Sequence, residues 1–171
     1  EHVLNFGSDW QVTKVEVDDA SSQIEVHVKF TGSKAPCPDS GQLLPIYDHR
    51  EQRRWRHLNM MQYQTWIVSN LPRVKDADGN VKTVKAPWAD INQRFTFWFE
   101  AMAIQLAQLT KSPTKAAEFL DSSYDVIAGI IGRAVRRGLE RRNAEDCCVE
   151  ALAIDEKAFR AGHHYITIIS C

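Results

Sequence analysis

The feature that most constrains this chain is a change of hydrophobic period at Arg94. Before it, apolar residues alternate with polar ones in short runs; after it, Phe95, Trp98, Phe99, Met102, Leu106 and Leu109 recur at spacings of three, four and seven. A period of two places side chains on alternate faces of a strand, whereas a period near 3.6 lines them along one helical stripe. A β region followed by an α region is expected, and 44% apolar residues in 171 can supply a core for both.

In the first part, Trp10, Val12, Val15 and Val17 precede DDASSQ, after which Ile24, Val26, Val28 and Phe30 alternate strictly with polar residues. This predicts a hairpin with one wet face. PCPDSG at 36–41 reads as a tight knuckle, LPIYDHRE leads into the strand-like RRWRHL, and YQTWIVSNLPRV at 63–74 is rich in β-branched and aromatic residues. DADGN is then a turn and VKTVKAPW a short closing strand. Residues 1–90 are expected to form a small β domain without helices.

Helix one is predicted over 95–109. Ser112 before Pro113 is an N-cap with proline at the first helical position, and the short helix it opens holds Ala116, Ala117, Phe119 and Leu120. Ser123 can cap a third and longer helix, in which Tyr124, Ile127, Ala128, Ile131, Ala134 and Val135 recur to about Arg142. After RNAEDCC, the apolar runs 149–154 and 165–169 have strand length, with DEKAFRAGHH between them. The expected class is α+β, divided into a β domain (1–90), a helical domain (94–142) and an opening β-hairpin (149–171).

Charge is segregated along the chain. The formal total is -1, yet residues 49–142 hold 16 Lys+Arg against 9 Asp+Glu, leaving 5 and 13 in the flanks. A uniformly basic coat is excluded, and any polyanion would have to meet the middle. No run approaches the length of a membrane span, and EHVLNF lacks the charged and apolar segments of a signal peptide, so a soluble, cytoplasmic protein without a membrane partner is expected. The start at Glu1 suits a processed product or an internal piece of something longer. Four cysteines, two of them adjacent, make no disulfide framework and fit a reducing compartment.

The helical middle carries the clearest mechanical pattern. A helix-turn-helix needs a small residue where its helices cross, a residue four places on that tolerates a left-handed turn, and a branched apolar residue six further on. Ala117, Asp121 and Ile127 occupy these places. Ser122, Ser123, Asp125 and Val126 would then face base edges, and Thr114 and Lys115 would reach phosphates. Arg133, Arg136, Arg137, Arg141 and Arg142 follow on the third helix and can neutralise phosphates, or form the solvated face of a plain three-helix bundle. In HREQRRWRHL, Arg54 and Arg56 share one strand face while Arg53, Trp55 and His57 share the other, so one row can grip phosphate while Trp55 packs.

Three further patterns are weaker. Cys37-Pro38-Asp39-Ser40-Gly41 outlines half a zinc knuckle with Ser40 in place of a second thiolate, and the matching turn at 76–79 offers Asp76, Ala77, Asp78 and Gly79; one thiolate of four does not hold zinc tightly, and His49 and His57 are the residues that could supply a further ligand. Asp155 and Glu156 end an apolar run, where carboxylates can hold a divalent ion or simply begin a solvated turn. Cys147 or Cys148 with His163 or His164 could in principle pair nucleophile and base, although a structural thiol is the simpler reading.

Taken in order, CPDSG, YDHREQRRWRHLNMMQYQ, LPRV, VKTVKAPWA, RFTFWFEAMA, the helix pair to RRGLERR, and AIDEKAFRAGHHYITIIS resemble the front part of a bacterial insertion-sequence transposase of the ISL-three group. The resemblance implies an N-terminal zinc ribbon, a helix-turn-helix and the start of a DDE catalytic domain of ribonuclease-H-like fold. It implies double-stranded DNA, at terminal inverted repeats, as the partner. It also makes Asp155 the first catalytic carboxylate, one that would hold Mg²⁺ together with a later Asp and Glu. The sequence departs from that pattern at Ser40, Asp76 and Gly79, where cysteines are expected, and reaches Cys171 before either later carboxylate. Cys37 is then the remnant of a metal site, no cofactor is expected in this chain, and a degenerate or truncated product is implied. Two alternatives stand beside it: a nuclease completed by a second chain, and an interaction module in which 149–154 and 165–169 pair between copies as a homodimer.

Overall fold

Strict alternation at Ile24, Val26, Val28 and Phe30 buries all four side chains, and it does so on the second strand of an antiparallel pair, β1 (Trp10–Asp18) and β2 (Gln23–Phe30). Asp18 closes the turn between them by accepting from the N–H groups of Ala20 and Ser21. The computed structural model describes residues 6–143, 153–160 and 164–170. Contacts divide the chain into two units, one ending at Ile131 and one beginning at Gly132.

Six more strands complete the β region: β3 (Lys34–Pro36), β4 (Leu43–His49), β5 (Arg53–Arg56), β6 (Gln64–Ser69), β7 (Pro72–Lys75) and β8 (Val81–Thr83). They form two four-stranded sheets, ordered β1-β2-β6-β5 and β3-β4-β7-β8. The expected hairpin, the β character of 63–74 and the DADGN turn are present, while the closing strand expected over 81–88 is confined to Val81–Thr83. β2 and β6 run parallel, from Gln23 opposite Gln64 to His27 opposite Val68.

The core of this region is aromatic. Trp88, from the segment after β8, meets Phe6, Trp10 and Trp55 edge-on at centroid distances of 5.0, 4.9 and 5.4 Å, and Trp10 meets Phe30 at 5.1 Å. Edge-on contact sets the positive rim of one ring against the negative face of the next, adding to the area buried.

Three helices follow: α1 (Phe97–Thr110), α2 (Pro113–Phe119) and α3 (Tyr124–Asn143). Thr96 caps α1 by accepting from Phe99 N–H, and Ser112 caps α2 by accepting from Lys115 N–H at 3.3 Å. The apolar stripe of α1 is narrower than its sequence pattern. Phe99 and Ala103 are buried, with Phe95, Met102 and Leu106 packed beside them, whereas Trp98 and Leu109 are exposed. At about 100° per residue, those two lie roughly 80–100° around the helix from Phe99. Ala103, Ala116 and Ala117, with their small side chains, are buried in the cluster that the helices share.

In the second unit, β9 (Ala153–Arg160) and β10 (His164–Ser170) form an antiparallel hairpin. The expected boundaries shift here. Residues 155–160, expected in the connection, belong to β9, because pairing with the whole of YITII requires a partner of equal length. The rest of the apolar run, at 149–152, lies outside the described residues, as do Cys147, Cys148 and His163.

Trp88→Ala removes the ring on which three other aromatic side chains converge. Urea denaturation is expected to show a loss of about 3–5 kcal/mol; a loss below about 1 kcal/mol would show that the ring cluster does not organise this core.

Candidate nucleic-acid interface

The turn between α2 and α3 is built by local hydrogen bonds. Leu120 N–H donates to Ala116 O, Ser122 N–H donates to Ala117 O at 2.9 Å, and Asp121 adopts φ 47° between them. Aspartate tolerates this left-handed conformation better than most residues with a Cβ. Ser123 then caps α3, its Oγ accepting from Val126 N–H at 3.3 Å. Ala117 and Ile127 are buried on either side of the turn, and Ile130 joins them. Thr114 and Lys115 on α2, and Ser123 and Asp125 at the start of α3, are exposed; Ser122 is half-buried. In the part of α3 that belongs to the second unit, Arg136 is exposed, while Arg133 and Arg137 are half-buried and already engaged by neighbours.

The basic strand β5 gives its three arginines different surroundings. Arg54 is exposed, its guanidinium 4.2 Å from the centre of the Trp66 ring and 3.7 Å from a Glu25 carboxylate oxygen. Arg53 is half-buried; it donates to Gln93 O and lies 5.1 Å over the Trp55 ring. Arg56 corrects the expectation that it grips phosphate beside Arg54. It shares the Trp66 face, but it is only 4% exposed. Its guanidinium donates to His57 O at 2.9 Å, Asn59 Oδ1 at 2.7 Å and Leu120 O at 3.4 Å, and it lies 5.6 Å over the Phe99 ring. Strand periodicity fixes the face but does not reveal what packs on it, and here the α2–α3 turn does.

His57 adjoins this clamp, its Nδ1 2.9 Å from Thr96 Oγ1. Burial, and then the Arg56 charge, push its pKa down from 6.5 to about 4.

The ribbon-like part keeps its knuckle without its ligand set. Cys37 N–H donates to Gln42 O and Gly41 N–H to Cys37 O, each at 2.8 Å, with Gly41 at φ 72°. The buried Cys37 thiol is held below its usual range by hydrogen bonds from the N–H groups of Ser40 and Asp39 and from the Ser40 hydroxyl. In the opposite knuckle, Asp76 N–H donates to Asn80 O, while the Asp76 carboxylate accepts from Asn80 N–H at 2.7 Å and so caps its own turn. Lys82 bridges the two knuckles, its Nζ 2.8 Å from Asp39 Oδ2, and its ammonium is held above its usual range by Asp39 first, with Asp76 and Cys37 contributing. One thiol, one hydroxyl and one engaged carboxylate beside a cation do not fit tetrahedral zinc.

Among the described residues, three metal-capable side chains converge only at Glu16, Glu25 and His27. His27 Nε2 lies 2.7 Å from Glu16 and 3.6 Å from Glu25, and Lys14 and Arg54 already face those carboxylates. Hydrogen bonding from Lys14 is the largest of the effects that lower the Glu16 pKa. This is an ion-pair ladder on the exposed face of β1 and β2.

Asp155 is an exposed residue within β9, opposite Ile168, and not at a buried strand end. Glu156 follows it directly and so projects from the other face, which prevents the two from sharing one ion. The pair does not fit a Mg²⁺ centre.

Residues 33–75, about a quarter of the chain, match the family described as the zinc-finger of transposase IS204/IS1001/IS1096/IS1165. A zinc-ribbon domain of the ISL-three transposase type is present there. The match runs from β3 through β7, the basic strand β5 among them, and ends just before the second knuckle at Asp76. No curated protein and no solved structure matches the chain.

Two outcomes follow from these sites. Thermal unfolding is expected to be unchanged by excess chelator or by added Zn²⁺; a melting temperature lowered by chelator would reveal a metal-bearing ribbon. For His57, a folded pKa below the unfolded value means that the unfolded chain binds the proton more readily. Its contribution to stability is therefore complete above about pH 6.5 and is lost as pH falls toward about 4. The melting temperature should drop through that window, and His57→Gln should shallow the drop; an equal drop in wild type and variant would assign it to other groups.

Proposed function

We propose that this chain is the DNA-binding part of an ISL-three-group transposase, with α2 and the first turns of α3 acting as a helix-turn-helix on duplex DNA. The observation that carries the reading is the left-handed turn at Asp121, flanked by buried Ala117 and Ile127, which leaves Thr114, Lys115, Ser123 and Asp125 open to solvent. That is what a recognition helix requires: apolar residues lock the pair while the polar start of the second helix meets base edges. The zinc-ribbon match supports the family context, and terminal inverted repeats are the duplex the resemblance suggests.

Thr114 and Lys115 contact phosphates in this reading, while Ser122, Ser123 and Asp125 face bases, Ser123 through the hydroxyl proton that its capping bond leaves available. Arg54 contributes from the surface of β5, since an exposed ion pair with Glu25 is weak enough to exchange for phosphate. Arg53 is placed to contribute as well. Arg133, Arg136 and Arg137 are proposed as phosphate contacts of the second unit on their own account. Arg56 has no part in binding, and no catalytic step is assigned to Asp155.

Fluorescence anisotropy with labelled duplexes tests the proposal. Binding is expected to weaken linearly in log affinity against log salt, and Lys115→Gln should flatten that slope by about 0.9, the contribution of one phosphate contact. Absence of binding to any duplex at low salt would remove the reading.

A further inference from the structure

A cleft of about 390 Å³ opens between the β4–β5 connection, the start of β5 and the segment after β8. Arg50, Arg53 and Lys85 line it, with Trp55 beside them, and Glu51 and Asp90 are the acids in its wall. Among the described residues, no carboxylate forms an ion pair with Arg50, Arg53, Lys85 or the neighbouring Arg94. Three cations thus share a concave wall without a carboxylate partner among the described residues, although two acids stand in the same wall.

Arg53 is also fixed in place. One of its five N–H donors goes to Gln93 O and its plane rests over Trp55, so the remaining donors are held in position at little further cost in side-chain entropy. Burial and the charges of Arg94 and Arg50 all act against its charged form, so an anion entering the cleft relieves a repulsion that the fold leaves in place.

We propose that this cleft is a binding site for phosphate oxyanions, gripped by Arg53 and closed over by Arg50 and Lys85. Phosphate suits the donor set, because a guanidinium fork matches two of its oxygens while a lysine supplies a point charge. The source that the preceding section favours is the DNA backbone, and to that extent the inference rests on that reading; a free phosphate compound is the other source.

The test uses the whole chain, the double variant Arg50→Gln/Lys85→Gln, and a control of equal charge change, Lys34→Gln/Lys157→Gln. The Arg50 and Lys85 side chains make no hydrogen bond or ion pair among the described residues, so matching thermal melts are expected. Two probes are titrated: inorganic tripolyphosphate by calorimetry, and a labelled mixed-sequence duplex by anisotropy across a salt series. The double variant should lose about ten-fold or more in tripolyphosphate affinity, and its DNA salt slope should flatten by about 1.8, while the control changes neither. Tripolyphosphate binding lost in the double variant, in a protein that binds no duplex, supports the cleft and points to a free phosphate compound, while removing the DNA reading. A double variant that binds tripolyphosphate as the wild type does, or a wild type that does not bind it, overturns the cleft; duplex binding with an unchanged slope would then leave the DNA reading standing without it.

Discussion

The burial of one guanidinium organises the first unit. Arg56 sits where β5 exchanges backbone hydrogen bonds with the approach to α1: its N–H donates to Arg94 O at 2.8 Å and its carbonyl accepts from Thr96 N–H at 3.0 Å. Its side chain then reaches Leu120 O at the end of α2, and Asn59, which it also holds, donates to Asp121 at 3.3 Å. A charge taken out of water is costly unless hydrogen bonds replace its hydration. Here carbonyl and amide oxygens together with two aromatic faces provide that replacement. The left-handed turn is thus braced from the β side, and the exposed side chains that follow it start from a fixed position.

This brace explains which parts of the fold were legible in the chain. The β1–β2 hairpin, the knuckle at Cys37 and the caps at Ser112 and Ser123 depend on near neighbours, and their residues announce them. Arg56 depends on a partner 64 positions away, and a strand pattern records only which face a side chain takes. Arg54 and Arg56 share that face, yet one is solvated and the other enclosed. The exposure of Trp98 and Leu109 escapes the helical period for a related reason, since stripe width depends on what the partner helices cover. The extent of β9 likewise followed its partner strand and not its own composition. Of the candidate site, the small, turn and branched positions of the helix pair could be read directly, whereas the cations gathered in the cleft could not, because Lys85 joins Arg50 and Arg53 only through the folding of the segment after β8.

The ribbon shows a knuckle closed without a full set of metal ligands. A zinc ion would tie two turns together by four bonds and would govern the ionisation of its thiols. Here each turn closes on itself, through Cys37, Gly41 and Gln42 on one side and Asp76, Gly79 and Asn80 on the other. The link between them falls to Lys82 and Asp39, a solvent-screened pair of the kind that contributes little to stability. So weak a link cannot hold two knuckles by itself. The aromatic core is the element able to do so, because Val74 and Val84, on either side of the second knuckle, belong to the same buried cluster as Cys37 and Trp88.

The three arginines of β5 separate structure from function on a single strand of four residues. Arg56 is fully engaged inside the fold, so replacing it would disturb the helix pair whether or not DNA is present. Arg54 exchanges easily between Glu25 and any other anion, so it can add charge but little selectivity. Arg53 is intermediate, with its position fixed by protein contacts and its charge left without an acid. A pre-positioned and uncompensated cation is the arrangement that favours binding over stability, since the fold bears the repulsion and a ligand relieves it. On that ground the cleft at Arg53, more than the exposed basic surface around it, is where an anion gains most from this particular fold.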